Sequence, residues 1–227
     1  MNSYVVKSGL IGVLVFLVIF GCSAISSRHK DEKREIQPKP EKMICLLAIN
    51  RVDNTLLERL STNLEKIFGG KVQVSHAPLD LQFAYNVERD QYHSSLILEK
   101  LSDFGSVGQK MDPEACERIL GMLDVDLYVP DLNFVFGEAD VLSNRAVIST
   151  KRLRPEYYGL PKDEMLFFDR ILKESVHELG HTYGLGHCPD KKCVMYFSNS
   201  LQDTDVKPSS FCENCKRKLM SVRRLEG

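Results

Sequence analysis

The sequence predicts an α/β fold in which a mixed, twisted sheet is flanked by helices. Short apolar runs of strand length alternate with longer segments whose apolar residues recur at helical spacing. Residues 43–227 are numerous enough to build one hydrophobic core. Strands that alternate with helices bury their apolar faces best as a helix–sheet sandwich. No internal repeat interrupts this pattern.

The first elements follow from apolar patterning and from capping residues. Residues 43–49 form a short apolar run, which predicts a buried strand. Asn54 is expected to cap a helix, and the alternation over 71–75 predicts a second strand. A further helix is predicted from about Asn86, with Tyr92, Leu96 and Leu101 facing inward. The Asp-Pro-Glu sequence at 112–114 predicts another helix start.

The second half of the domain predicts two strands and two helices. Residues 126–136 and 145–150 have strand character, and the Gly-Glu-Ala-Asp sequence at 137–140 predicts a reversal between them. A long helix is expected from about Asp163 to Tyr183. A short C-terminal helix is expected over 212–225.

The N-terminal region differs in composition from the domain. Residues 1–21 contain an uncharged apolar run that is too short for an ordinary membrane span and resembles the apolar part of a signal peptide. The run ends at Cys22 in a sequence similar to a bacterial lipobox, which predicts lipidation of Cys22. Residues 22–42 are charged and carry prolines, so they are expected to be a flexible tether to the domain at 43–227.

These features predict a membrane-anchored bacterial lipoprotein that faces the periplasm or the cell exterior. An uncleaved anchor is one alternative, and it would hold the domain in the cytoplasm because positive residues follow the apolar run. A simple secretory signal is the other. The formal net charge is −1 with acids and bases interleaved, so no nucleic-acid partner is expected. The domain is expected to be a monomer.

The segment from 177 to 187 carries the chemistry. His177 and His181 are four residues apart, which puts both imidazoles on one face of a helix. Gly184 can take the positive φ that ends a helix, so the chain can turn back and bring His187 to the same metal. Three protein ligands with one open position are typical of a catalytic zinc, and Glu178 beside the first ligand can serve as its base. Surface histidines on a solvated helix are the simpler alternative.

Four cysteines follow in two close pairs. Cys188 and Cys193 form a C-x4-C sequence, and Cys212 and Cys215 form a C-x2-C sequence. This spacing matches a closed zinc site with four thiolate ligands. Two disulfides, or free thiols with no joint role, are the alternatives.

The sequence around three other residues indicates their structural roles. Cys45 and Cys116 lie in apolar segments and are expected to be buried core thiols. Met195 follows the histidine segment closely, and a methionine in such a turn would form an apolar floor beneath the metal.

On these residues the chain resembles the archaemetzincins, a branch of the metzincin zinc metallopeptidases. Every position of their H-E-x-x-H-x-x-G-x-x-H-C signature, with the later C-x-M and C-x-x-C, is filled. The matching residues are His177, Glu178, His181, Gly184, His187, Cys188, Cys193, Met195, Cys212 and Cys215.

The resemblance implies a metzincin-like domain with two zinc ions. The catalytic zinc would be held by the three histidines and the structural zinc by the four cysteines, with Met195 as the Met-turn. Some metzincins place a tyrosine two residues after that methionine; here the position is Phe197, so Tyr196 is assigned no metal role.

The implied activity is hydrolysis of peptide bonds by a zinc-activated water, with Glu178 as general base and acid. The main alternative is a zinc-braced peptide-binding module with little or no turnover. Hydrolysis of another amide or ester is a second alternative, because the same chemistry is not restricted to peptides.

Overall fold

A computed structural model describes residues 42–101 and 115–226. Its centre is a five-stranded mixed sheet in the order β2-β1-β5-β8-β7, which confirms the predicted fold class. The strands of this sheet are β1 (Met43–Ile49), β2 (Val72–Ala77), β5 (Cys116–Leu123), β7 (Gly137–Asp140) and β8 (Arg145–Ser149). Three very short strands form a second sheet; they are β3 (Tyr85–Asn86), β4 (Gln91–His93) and β6 (Leu127–Tyr128).

Five α-helices surround the sheets in the described part of the chain. They are α1 (Asn54–Phe68), α2 (Ser94–Lys100), α3 (Glu164–Thr182), α4 (Leu201–Val206) and α5 (Glu213–Glu226). Successive residues of the central strands point to opposite faces, which gives two cores. Ile44, Leu46 and Ala48 pack with α1 and α3, whereas Cys45 and Leu47 pack with α2. The result is the expected helix–sheet sandwich.

Four strands of the large sheet are parallel, and β7 alone runs antiparallel at one edge. The prediction of a reversal at 137–140 was wrong, because those residues form strand β7 itself. The chain reverses beyond the strand, where Asn144 has a φ of 59°. Pairing with β8 overrides the turn character of this sequence, and local composition cannot report such a partner.

The helix predicted from Asn86 is also largely wrong. Residues around Asn86 and Tyr92 belong to β3 and β4, joined through Asp90 in a positive-φ conformation, and a helix exists only from Ser94 to Lys100. Leu96 is exposed on it, whereas Leu101 is buried as expected. Of the strand expected over 126–136, only Leu127–Tyr128 forms a strand, β6.

The helix termini follow their capping chemistry closely. Asp53, one residue before the predicted cap, accepts a hydrogen bond from the N–H of Leu56, and Gly69 closes α1 in the left-handed conformation. Asp163 caps α3 by accepting from the N–H groups of Met165 and Leu166. The long helix therefore lies where the sequence predicts it.

The expectation that Cys45 and Cys116 are core thiols was wrong, because they form a disulfide with a Cα–Cα distance of 5.6 Å. They lie on neighbouring parallel strands, and Met43 is the residue directly opposite Cys116. Two cysteines 71 residues apart come together only through sheet pairing, so their spacing carries no signal. The helix start expected at 112–114 and the signal expected at 1–21 lie outside the described residues, as does the tether expected at 22–42 except for its last residue.

Candidate metal centre

Helix α3 and the turn after it bring the three predicted histidines together. His177 and His181 lie one turn apart near the end of the helix, and Gly184 turns the chain with a φ of 75°. This turn returns His187 to the helix. One ring nitrogen from each histidine falls within a group whose members lie within 4.8 Å of one another.

Backbone carbonyls orient two of these rings. The Nδ1 atom of His177 lies 2.8 Å from the carbonyl oxygen of Val194, and that of His181 lies 2.7 Å from the carbonyl oxygen of Leu185. A carbonyl can only accept, so each Nδ1 donates a proton and each Nε2 is left with a free lone pair. The two Nε2 atoms are 3.1 Å apart. Two lone pairs that face each other at this distance repel unless a cation lies between them.

This donor set fits a zinc ion. A tetrahedral zinc with bonds of about 2.0–2.1 Å separates its ligand nitrogens by about 3.3 Å, which is close to the distance between His177 and His181. Burial lowers the pKa of His177 to about 2 and also lowers the pKa values of His181 and His187. The imidazoles are therefore neutral near pH 7, as metal binding requires.

Glu178 is buried beside the histidines. Burial raises its pKa well above the usual range, and the neighbouring carboxylate of Glu174 adds to the effect. Gly137 on edge strand β7 packs directly against it, because a β-carbon at 137 would come within 2.7 Å of the Glu178 Cγ. The edge strand and the glutamate therefore face each other closely.

Met195 lies under the helix, between the two histidine turns. A β-carbon at Gly180 would overlap the sulfur of Met195, so the thioether packs against the bare backbone of α3 at this point. Met195 is fully buried. Beside it, Phe197 places its ring 4.6 Å from the ring of His187.

The four predicted cysteines converge next to the histidine site. Their sulfur atoms lie within 4.8 Å of one another, with 3.8 Å between those of Cys188 and Cys212. None of the four is in a disulfide. The backbone N–H of Cys212 donates to the sulfur of Cys193, which orients that side chain. Four sulfurs brought together without S–S bonds fit a thiolate metal site better than two disulfides.

A cavity of about 620 Å³ opens onto the histidines and Glu178. Two of its charged lining residues escaped sequence reasoning: Glu174 and Lys207, which form an ion pair of 3.3 Å. Glu174 could have been placed at the site from the sequence, because it lies four residues before Glu178 and therefore on the same helix face. Nothing in the sequence indicates Lys207, because the tertiary fold brings it to the cleft.

Comparisons with known proteins agree with this site. The model of Peptidase family M54 matches residues 45–221. The chain is 40% identical over 176 residues to the archaemetzincin of Methanocaldococcus jannaschii, covering 78% of this chain and 92% of that protein. It is 42% identical over 182 residues to the archaemetzincin of Pyrococcus furiosus, with the same coverage.

Solved structures give the same result. The archaemetzincin of Methanopyrus kandleri superposes with a TM-score of 0.68 at 35% identity, covering 83% of this chain and 99% of that one. A zinc-dependent peptidase from Methanocorpusculum labreanum superposes with a TM-score of 0.69 at 33% identity, covering 78% and 99%.

Fold, site and relatives together define a zinc metallopeptidase. The chain belongs to Peptidase family M54, as its resemblance to the archaemetzincins implied. The matching family is a peptidase family and one of the solved structures is a zinc-dependent peptidase, and nothing in these comparisons supports a peptide-binding module without turnover.

The prediction of a membrane-anchored bacterial lipoprotein was wrong. The relatives that match the chain are archaeal archaemetzincins, and they offer no support for a bacterial lipoprotein anchor. Within residues 42–101 and 115–226, no helix combines the length and the apolar character that crossing a bilayer requires.

Proposed function

We propose that this metallopeptidase is of the metzincin type, with its catalytic zinc on His177, His181 and His187. The observation that carries the proposal is the 3.1 Å approach of two Nε2 lone pairs, each oriented by a backbone carbonyl. Such an arrangement is unfavourable in a protein that binds no cation. The packing of Met195 beneath the helix supports a Met-turn, which is the metzincin feature.

Glu178 would serve as the general base and acid. When bound, zinc supplies Lewis-acid chemistry that acidifies water and polarises a carbonyl. The Glu178 carboxylate takes a proton from the attacking water and then delivers it to the departing amine nitrogen. The C–N bond breaks, and the products are a carboxylate and an amine. The burial of Glu178 keeps bulk water away from this proton transfer.

The four cysteines would hold a second, structural zinc. Convergence of their sulfurs within 4.8 Å supports this, as does the absence of S–S bonds among Cys188, Cys193, Cys212 and Cys215. All-cysteine sites are closed and leave no position for substrate. This ion would therefore order the chain around the catalytic site without taking part in the reaction.

Peptides or proteins are the proposed substrates, with the cleft over the histidines receiving them. The edge of β7, next to Glu178, supports an extended substrate lying along the sheet.

Metal analysis of the full-length protein tests the proposal. We expect two zinc ions per chain in the wild type, and one in either His181→Ala or the double variant Cys193→Ser/Cys215→Ser. Chelation should abolish hydrolysis of a quenched-fluorescent peptide mixture, and added zinc should restore it. One zinc in the wild type, or an unchanged zinc content in His181→Ala, would contradict the assignment.

A further inference from the structure

The ammonium group of Lys207 is buried beside the active-site cavity and makes two long polar contacts. The side chain is 1% exposed, yet its nitrogen lies 3.3 Å from a carboxylate oxygen of Glu174 and 3.5 Å from the carbonyl oxygen of Tyr196. Both distances exceed the usual range for N–H···O hydrogen bonds. An ammonium has three protons to donate, and an underused buried charge is costly.

The position of this ammonium relates it directly to the reaction. Glu174 lies one helical turn before His177 and Glu178 on α3, so all three share a helix face. Lys207 lines the same cavity as these residues. Its partner Glu174 lies one helical turn, roughly 5 Å along the helix, before the general base Glu178.

Lys207 is not needed to hold helix α4 against α3. Helix α4 is already held to α3 by Arg170, which makes two hydrogen bonds of 2.6 and 2.8 Å to the carboxylate of Asp205. Lys173 and Thr204 add contacts of 2.9 and 3.0 Å between the same helices. These contacts are short and well formed, whereas those of Lys207 are long.

The charges around the cavity can accept an anionic ligand once zinc is bound. Among the described residues that line the cavity, Lys207 is the only lysine or arginine. The acids that face the cavity are Glu138, Glu174 and Glu178, and Glu138 is already bound by two serine hydroxyls. With zinc in place, its two charges and that of Lys207 balance these three acids, so an incoming carboxylate meets no net repulsion. Ser198 also lines the cavity, and its buried hydroxyl has no partner among the described residues.

We propose that Lys207, with Ser198, forms a subsite for a substrate carboxylate next to the scissile bond. The inference rests on the proposed function and narrows it: preferred substrates carry Asp or Glu, or the free C-terminal carboxylate, beside the bond that is cleaved. A substrate carboxylate gives the ammonium the short, charge-assisted hydrogen bond that it otherwise lacks.

Matched peptide pairs test this on the full-length zinc-loaded protein. Each pair differs only by Glu against Gln at one position flanking the scissile bond, or by a free against an amidated C-terminus. We expect kcat/KM to favour the acid by about tenfold or more, consistent with a hydrogen bond to a charged group. The two kinds of pair separate a side-chain carboxylate from the chain terminus.

The acid-to-amide ratio is kcat/KM for the acidic peptide divided by kcat/KM for its amide partner. Two variants should move this ratio in opposite directions. Lys207→Met keeps the length and apolar stem of the side chain and should bring the acid-to-amide ratio close to one. Glu174→Gln removes the anion that competes for the ammonium and should raise the ratio several-fold. Lys66→Met, at an exposed position on α1, is the control and should leave the ratio unchanged. If Lys207→Met does not fold, Glu174→Gln still decides.

The possible results separate a failure of the inference from a failure of the proposed function. Zinc-dependent cleavage with equal rates for every pair overturns the subsite and leaves the proposed function intact. A wild-type preference that survives Lys207→Met, or that falls in Glu174→Gln, assigns the preference to another group. If no peptide is cleaved, the proposed function fails, and calorimetric binding of the same peptide pairs then tests the subsite alone. Equal affinities for the acid and the amide overturn the subsite. Tighter binding of the acid, lost in Lys207→Met, upholds it.

Discussion

The backbone N–H of Cys188 donates a 2.9 Å hydrogen bond to the carbonyl oxygen of Met195. Cys188 belongs to the cysteine cluster and directly follows His187. The carbonyl next to that of Met195 belongs to Val194, and it accepts the proton that orients His177. A single short segment therefore connects the cysteine cluster, the methionine beneath the helix and two of the three histidines.

Cys212→Ser should weaken zinc binding at the histidines, although Cys212 touches none of them. Loss of one thiolate loosens the segment that carries Val194 and Met195, and such outer contacts contribute about 10–100-fold to metal affinity. We expect a loss of about tenfold, measured by competition with a chromophoric chelator. Glu213→Gln, at the neighbouring exposed position, is the control. Unchanged affinity in Cys212→Ser would refute the coupling between the two sites.

Glu178→Gln should keep zinc and lose hydrolysis. The amide preserves the size of the side chain but cannot take up a proton, so we expect kcat to fall by at least about 100-fold. Zinc content and peptide hydrolysis should be measured on the same sample. Glu164→Gln, an exposed change on the same helix, should retain full activity. A fully active Glu178→Gln would remove Glu178 from the mechanism.

Gly180→Ala should destabilise the protein despite the better helix propensity of alanine. The new methyl group overlaps the sulfur of Met195 and lies 3.2 Å from the ring of Phe211. Overpacking costs about 1–3 kcal/mol, whereas alanine gains about 1 kcal/mol in a helix. We expect a net loss of up to about 2 kcal/mol in the free energy of unfolding, measured by urea denaturation.

Gly186→Ala is the matched control for that change, because a β-carbon there meets open space and the backbone has no positive φ. Its free energy of unfolding should stay within about 0.5 kcal/mol of the wild type. A Gly180→Ala protein as stable as this control would mean that Met195 moves aside at no cost.

The metal-free protein should lose stability in mild acid because His177 is held neutral. Its pKa in the folded state is about 2, below the value of about 6.5 expected when unfolded. As the pH falls, the unfolded chain therefore binds the proton first, which stabilises the unfolded state. The stability associated with a neutral His177 is fully present above pH 6.5 and is lost as the pH falls towards 2. Between these two pKa values, the free energy of unfolding changes by about 1.4 kcal/mol per pH unit for one such group.

Chelator-treated wild type and His177→Asn should be compared by urea unfolding at pH 7.5, 6.0 and 5.0. Asparagine does not titrate here, so the wild type should lose stability more steeply than the variant. Parallel pH profiles for the two proteins would show that His177 is not held neutral by the fold.

Features that depend on neighbours along the chain were predictable. The caps at Asp163 and Gly69 and the long helix between 163 and 183 follow from residue types at fixed offsets. The convergence of His177, His181 and His187 follows from one helix turn and one glycine. The cysteine cluster was predictable because each pair is local, although the meeting of the two pairs depends on the fold.

Features that depend on a distant partner were not predictable. The turn-like sequence at 137–140 becomes strand β7 because β8 lies beside it. Likewise, the helix expected from Asn86 is replaced by short strands that pair with each other and with β6. In both cases long-range pairing outweighs local propensity, which is worth little per residue.

The sequence alone determined the reaction class of this protein, because three histidines at metal-ligand spacing and the glutamate beside them lie within eleven residues. Only the tertiary structure decided what surrounds that centre. Gly137 against Glu178, the ion pair of Glu174 and Lys207 and the disulfide of Cys45 and Cys116 each join segments far apart in the chain. Such contacts arise from the packing of whole strands and helices, and no spacing along the chain encodes them.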